Sequence, residues 1–309
     1  MNERRMSTIL GKIIGAILVV AISIGIFFGS YYFFQKINNK KIKGVYYYDG
    51  TIYEESDDFK DKYGYTYLVN KNDKQGKLYE NLYHSSIDFI HKKKDLEEYN
   101  DQSMTLFCLN KISKYKVDYD EALQTYEIFE RDNPEFYWLT NIYFNEAKTL
   151  ISFSIDKDYM KYTDRSTLDI SIQLKLYQLD EEMSTKTSDY SKISYLYDYV
   201  RDNMEYSFDD SDSAWAHNII GFFKKGLGVC ESYSETFMLL CKRYGIDNIQ
   251  LFSSEHAWNI AKVDGAWYVF DVTNDFFGET EDFYQEYGKT YEYNEYMYSV
   301  PTISSEKLI

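Results

Sequence analysis

Cysteine is scarce in this 309-residue chain, with three residues in all, Cys108, Cys230 and Cys241. Three is too few, and too odd, for the disulfide framework on which small secreted domains depend. Stability must therefore come from packing, and at least one thiol is left for another use. Histidine is almost as scarce, at four residues. No Gly-rich phosphate loop and no Cys-x-x-Cys pair occurs, so neither a nucleotide nor structural zinc is implied, and no cofactor or metal is expected. Asp209, Asp210 and Asp212 form an acidic loop without the glycine and distal glutamate of a calcium loop. No internal repeat of about 20 to 50 residues is found.

Positive charge is also in short supply outside the N-terminus. Residues 1 to 43 hold seven basic side chains and one acidic, which leaves 27 basic against 49 acidic, or −22, on the remainder. Such a field repels phosphate backbones and anionic lipid faces, so nucleic acid is excluded as a partner. The 34 tyrosines are unusual, and nothing in the sequence explains them.

Charge is absent altogether from Ile13 to Phe34, a run of 22 residues. At about 1.5 Å per residue it is long enough to cross about 30 Å of hydrocarbon. A cleaved signal peptide would have a shorter apolar region and a small-x-small cleavage site. This run ends instead in GSYYFFQK, with aromatics placed as at a membrane interface. It reads as a transmembrane helix. Arg4, Arg5 and Lys12 on one side nearly balance Lys36, Lys40, Lys41 and Lys43 on the other. A short head before one early span favours a single-pass cell-membrane anchor with the C-terminal domains outside.

The expected organisation is a cytoplasmic head over 1–12, a span over 13–34, a stalk or linker over 35–75, an α+β accessory domain over 76–188 and a second domain over 191–309. The stalk rests on Gly44, Gly50, Gly64 and Gly76 and on the acidic EESDDFKD. In the accessory domain, KLYENLYHSSIDFIHKK places Leu78, Leu82, Ile87 and Ile90 near one helical face. VDYDEALQTYEIFERDNPEF does the same with Ala122, Leu123, Tyr126 and Phe129, and its helix should stop before Pro134. ISFSID and TLDISIQLKLY alternate apolar and polar residues, the strand period. After the linker MSTKTSDYS, Ile193, Leu196, Tyr197, Val200 and Met204 mark a core-facing helix.

In GVCESYSETFMLLCKRYG, Tyr233, Phe237, Leu240, Cys241 and Tyr244 form the apolar stripe of a helix that Gly245 ends. Ser232-x-x-Glu235 matches a capping box, and a start one turn earlier fits nearly as well. Either start puts Cys230 at the positive end of the helix, where a thiolate is favoured. Cys241, inside the stripe, and Cys108, in SMTLFCLN, suit the commoner fate of a buried hydrophobe. Cys230, among glycines and polar residues, does not.

A base is needed beside such a thiol. His84 and His91 lie on a polar helix in the first domain, and His217 precedes the Cys230 helix without a spacing that requires it. His256 lies in EHAWNIAKV, which Asp264-Gly265 joins to AWYVFDVT, and Asp-Gly between two alternating runs signals a hairpin. A two-residue turn pairs Val263 with Ala266, Trp258 with Asp271 and His256 with Thr273. His256 and Asp271 then share a face as diagonal neighbours. Nucleophile, base and orienting carboxylate are all present. The plainer reading is a half-exposed hairpin with ordinary polar residues.

GVCESYSETFMLLCKRYGI, HAWN and GAWYVFDVT, with the lead-in YDYVRDNMEYSF and AHNIIGFFKKGLGVCE, resemble the core of the transglutaminase-like superfamily over about residues 193–275. DNPEFYWL resembles a segment that precedes this module in bacterial surface proteins. The resemblance implies a papain-like α+β core with the Cys-bearing helix on an antiparallel sheet. It implies Cys230 as nucleophile, His256 as general base and then acid, and Asp271 as the group that holds the imidazole tautomer. Trp258 would be packing, and the Cys230 amide a donor to the oxyanion. Ser232, Ser234, Glu255 and Asn274 depart from the family's usual Gly, Ala, Gly and Trp, which bears on groove shape. The expected activity is acyl transfer on protein or peptide amides through a thioester, with hydrolysis somewhat favoured over amine transfer. The alternative is a non-catalytic surface module that binds protein or cell-wall partners.

Overall fold

The glycine-interrupted stretch ahead of residue 76 folds rather than standing off as a stalk. The computed structural model describes residues 43–99, 105–209, 213–291 and 299–309. The head, the candidate span Ile13–Phe34, Asp210 and Asp212 lie outside them. Among the described residues no helix is long and apolar enough to cross a membrane. Strand β1 (Val45–Tyr46) opens the unit, a 3-10 run follows over Glu54–Asp61, and helices α1 (Tyr63–Lys71) and α2 (Asp73–Lys92) come next. Tyr46, Phe59 and Leu68 are buried. Gly64, which looks like a break in the sequence, is a contact point. A Cβ there would lie 2.3 Å from Ile128 and 2.6 Å from a carboxylate oxygen of Asp132, so its absence lets α1 close onto the next long helix.

Strand β2 (Thr105–Lys111), the single turn α3 (Ile112–Tyr115), helix α4 (Tyr119–Asp132) and the hairpin β3 (Leu139–Phe144) and β4 (Leu150–Ile155) complete the first layer. The sheet order is β1-β2-β4-β3, with β1 parallel to β2 and the other pairs antiparallel. Helix α4 starts on an Asp118–Glu121 capping box and ends at Asp132, just short of Pro134 as the proline requires. Ala122, Tyr126 and Phe129 are buried as their spacing predicts. On α2, Leu78, Leu82 and Phe89 carry the buried face, while Ile90 is exposed.

The segment TLDISIQLKLY is helical, within α5 (Tyr162–Met183), and not a strand. Its apolar residues satisfy both periods. Ile172, Leu176, Leu179 and Met183 face the core one turn apart, whereas Ile170, Leu174 and Tyr177, which gave the appearance of alternation, are exposed on the other side.

Helix α6 (Asp189–Asp202) is capped by Ser188 and buries Ile193, Leu196, Tyr197 and Val200. The short parallel pair β5 (Glu205–Tyr206) and β6 (Leu227–Gly228) leads to α7 (Cys230–Arg243). Strands β7 (Asn248–Phe252), β8 (Ala257–Val263), β9 (Ala266–Asp271) and β10 (Phe276–Glu279) form an antiparallel sheet in the order β10-β9-β8-β7. Helix α8 (Glu281–Thr290) follows, capped by Thr280.

No boundary near residue 190 divides this structure, because Gly44–Ile309 is one compact unit. Lys242 Nζ donates to the Asp132 carbonyl at 3.2 Å and Asn218 Nδ2 to the Tyr137 carbonyl at 3.1 Å. One apolar core runs from Tyr46 to Ile303. The two halves expected from sequence therefore share an interior.

Gly221 sits where the loop before α7 passes under that helix. A Cβ would lie 2.5 Å from both the Leu227 carbonyl oxygen and Ser232 Oγ. Gly221→Ala should destabilise the protein by about 1–3 kcal/mol in urea unfolding, since a backbone oxygen cannot swing aside.

Candidate active site

Cys230 is the first residue of α7, with Val229 at the cap position, so the earlier of the two possible starts is the one adopted. Ser232 does not cap; its hydroxyl donates to the Asn218 carbonyl at 2.6 Å. The Val229 amide donates to the Ala216 carbonyl at 2.9 Å, which fixes the approach of the loop. No side chain caps the helix, so the positive end of α7 is directed at the sulfur. Ser234 ties the helix to the sheet, accepting from Gln250 Nε2 at 2.6 Å through its hydroxyl and from Asn259 Nδ2 at 3.0 Å through its carbonyl.

The hairpin has the expected register. Val263 pairs with Ala266 and Asn259 with Phe270, and the turn residues Asp264 and Gly265 have φ of 48° and 92°, the left-handed pair that a type I′ turn needs. That register brings the diagonal neighbours together. His256 Nε2 lies 2.6 Å from Asp271 Oδ2, and both side chains are buried. The other carboxylate oxygen, Oδ1, accepts from the Thr273 amide at 2.9 Å and the Asn274 amide at 3.1 Å.

A small cavity of about 370 Å³ is lined by Cys230, His256, Tyr206, His217, Glu231 and the Ser253–Glu255 loop. The Cys230 thiol is a hydrogen-bond partner of the same imidazole. Burial would depress the His256 pKa, but the hydrogen bonds to Asp271 and Cys230 and their charges outweigh it and push it up to about 9. Burial would raise Asp271, yet the bond to His256, its charge and the Tyr287 hydroxyl hold its carboxyl below the usual range. The group is thus set as a carboxylate against an imidazolium at neutral pH.

Two of the side chains around this pair, Tyr287 and Tyr291, carry no sequence signal of their role. Tyr287 on α8 donates its hydroxyl to Asp271 Oδ2, and Asn274 Nδ2 donates to the same oxygen at 3.0 Å. Tyr291 lies on the imidazole, ring centroids 4.4 Å apart. Trp258, fully buried, stacks on it at 5.8 Å. The spacing of Phe283, Tyr287 and Tyr291 marks an aromatic helix face, but no motif links that face to the histidine. Removing the hydroxyl with Tyr287→Phe takes one hydrogen bond from a buried carboxylate, and unfolding in denaturant should show a loss of about 1.5–3 kcal/mol.

Arg131 on α4 is a further contributor. Its Nη2 is 3.0 Å from Glu231 Oε1, and its guanidinium lies 4.2 Å over the Phe252 ring. His217 Nδ1 bonds Glu231 Oε2, on the residue that follows Cys230. Burial would raise the Glu231 pKa, but Arg131 and His217 bring it down to about 2.

The other cysteines are packing residues. Cys241 is fully buried, and burial pushes its thiol up to about 12. Cys108 is buried against Ser85 and Asn110. His84 and His91 stack on Tyr48 and Tyr53, on α2. Among the described residues no group of His, Cys, Asp and Glu is placed to hold a metal ion.

No curated protein matches this chain. Among solved structures, it is similar to a TGase at 18% identity and a TM-score of 0.29, covering 52% of this chain and 48% of that one. It is also similar to a candidate cysteine protease from Cytophaga hutchinsonii, at 16% identity and a TM-score of 0.28, covering 43% of this chain and 61% of that one. The chain thus spans less than two thirds of either. Residues 177–272, from the last turns of α5 to the end of the His256–Asp271 hairpin, match the family model of the transglutaminase-like superfamily, and over that span the chain carries a transglutaminase-like domain.

Proposed function

We propose that this protein is a cysteine acyl-transfer enzyme acting on protein or peptide amides. The Cys230 sulfur attacks the amide carbon, and the oxyanion forms near the amino end of α7, where the Cys230 amide can donate to it. His256 passes its proton to the departing amine, the C–N bond breaks, and a thioester remains. His256, now neutral, takes a proton from the acceptor, which attacks the thioester carbon and releases the thiolate. Asp271 keeps the ring in the orientation that turns one nitrogen to the sulfur. Water as acceptor gives hydrolysis and a lysine amine gives a crosslink; hydrolysis is the reading we favour. The anchor read at Ile13–Phe34 would hold this domain at the outer face of a cell membrane.

The observation that supports the reading is the buried imidazole held at 2.6 Å by Asp271 in the same cavity as the helix-start thiol. Iodoacetamide labelling tests it. Cys230 should react faster than a free thiol peptide, in a pH-dependent manner, and Cys230→Ala should abolish the fast phase. Labelling no faster than the peptide would contradict it. Mass spectrometry of protein or cell-wall peptide mixtures treated with wild type and Cys230→Ala then separates the outcomes. Loss of ammonia with joining of chains marks crosslinking, exchange of NH₂ for OH marks deamidation, and a cut chain marks proteolysis.

A further inference from the structure

Beside the thiol cavity lies a second one, of about 650 Å³, between α4, β3 and the first turns of α7. The two share His217 and Glu231 as wall residues, and Glu231 directly follows Cys230. The larger space therefore begins one residue along α7 from the sulfur.

The chemistry of that space is one-sided. Five carboxyl groups line it, from Glu127, Glu130, Asp156, Glu231 and Glu235, against Arg131 and His217. Both basic groups are already engaged with Glu231. Glu235 is 4% exposed, and its Arg131 neighbour, at 3.7 Å, is beyond hydrogen-bond reach. Asn133, 2% exposed, lines the same cavity with its Oδ1 unpartnered, while its Nδ2 bonds Tyr79 and the Phe129 carbonyl. Burial pushes Glu130 up to about 7, with Arg131 opposing, and pushes Glu235 well above the carboxylate range. Among these groups the buried acceptor left without a donor is Asn133 Oδ1. The one donor in the same condition is Arg131 Nε, whose guanidinium is fixed between Phe252 and Glu231.

A ligand that suits this wall brings positive charge, against which Glu130 and Glu235 can give up the protons that burial makes them hold, and a donor for Asn133 Oδ1. A metal ion does not fit, since no carboxyl cluster among the described residues is tight enough to hold one. An elongated organic cation does, because Leu123, Leu139, Ile142 and Phe144 supply apolar wall for a methylene stem. We propose that this cavity binds a basic side chain, ammonium or guanidinium, of the peptide whose amide is presented to Cys230. The inference rests on the reading of Cys230 as the nucleophile and adds the substrate class.

The test uses the full chain, in detergent, and a positional set of short peptidyl vinyl sulfones, each carrying Lys, Arg, norleucine or Glu at one position, with iodoacetamide as a small reference reagent. Intact-mass spectrometry gives the rate of Cys230 labelling. At one position Lys and Arg should exceed norleucine by about tenfold or more, with Glu slowest. Glu130→Gln combined with Glu235→Gln should bring that ratio towards one. Glu127→Gln, at a half-buried wall position, repeats the test should the buried pair fail to fold. Fast iodoacetamide labelling with equal rates across the set, or a preference for Glu, would overturn the subsite and leave the nucleophile standing. Slow labelling by every reagent would overturn both. Fluorescence anisotropy of the same Lys peptide without its electrophile, on Cys230→Ala, provides a readout free of thiol chemistry, and Lys→norleucine should weaken that binding about tenfold.

Discussion

Cys230→Ala is expected to lower turnover by about 10⁴-fold or more while leaving the fold in place. The sulfur is small and sits at a helix start, so the variant should remain folded, with a modest loss of stability from the missing hydrogen bond to His256. His256→Ala should cost as much in turnover, because the leaving amine then departs without a proton and the sulfur loses its neighbour. Neither variant should be made worse by the other, since nucleophile and base act as a unit. Cys241→Ala serves as the contrast. That residue is buried in the α7 stripe, and its loss should appear as a change in stability with turnover nearly unaffected. Steady-state kinetics and urea unfolding on the four proteins distinguish these outcomes. A Cys230→Ala protein with wild-type turnover would end the proposal.

The second large effect is on pH. With the His256 pKa at about 9, the imidazolium needed to protonate the leaving amine persists through neutrality, and kcat/KM should fall on an alkaline limb near pH 9. Asp271→Ala removes the hydrogen bond and negative charge that raise this value, while burial, which lowers it, remains. The limb must therefore move to lower pH, towards or below the ordinary histidine value of about 6.5, and turnover at neutral pH should fall by about 10³- to 10⁴-fold. Stability has the same origin and sign. A histidine raised in the folded state contributes stability fully present below about pH 6.5 and lost as pH rises through about 9, on the order of 3 kcal/mol for this shift. Urea unfolding of wild type between pH 6 and 10 should show that decline, and His256→Gln should lack it.

The catalytic-looking half of the structure was legible because its signals are local. Asp264-Gly265 sets both the turn type and the count of residues back to His256 and out to Asp271, and the alternating strands leave one register that keeps both on the same face. The stripe from Tyr233 to Cys241 likewise determines which side of α7 meets the sheet. Elsewhere local signals conflicted with packing. In α5 the alternation of Leu168, Ile170, Ile172, Leu174 and Leu176 fits a strand, and only the long-range burial of Ile172, Leu176 and Leu179 makes it a helix. Gly64 looks like an interruption until Ile128 and Asp132 are seen against it. Tyr287, Asn274 and Arg131 reach the site from elements whose position is set by the tertiary fold. Arg131 comes from the half of the chain expected to be a separate domain. No periodicity within a single element could have placed it beside Glu231.

The account as a whole depends on a proton shared among three groups, and the imidazole can be observed directly. With four histidines in the sequence, isotope-labelled imidazole resonances are few enough to assign by substitution. Titration of the His256 ring by NMR should give a midpoint near pH 9, falling when Cys230 is replaced by alanine and falling further when Asp271 is. A midpoint at or below about 6.5 that neither substitution alters would mean that sulfur, ring and carboxylate do not act on one another, and would contradict the account.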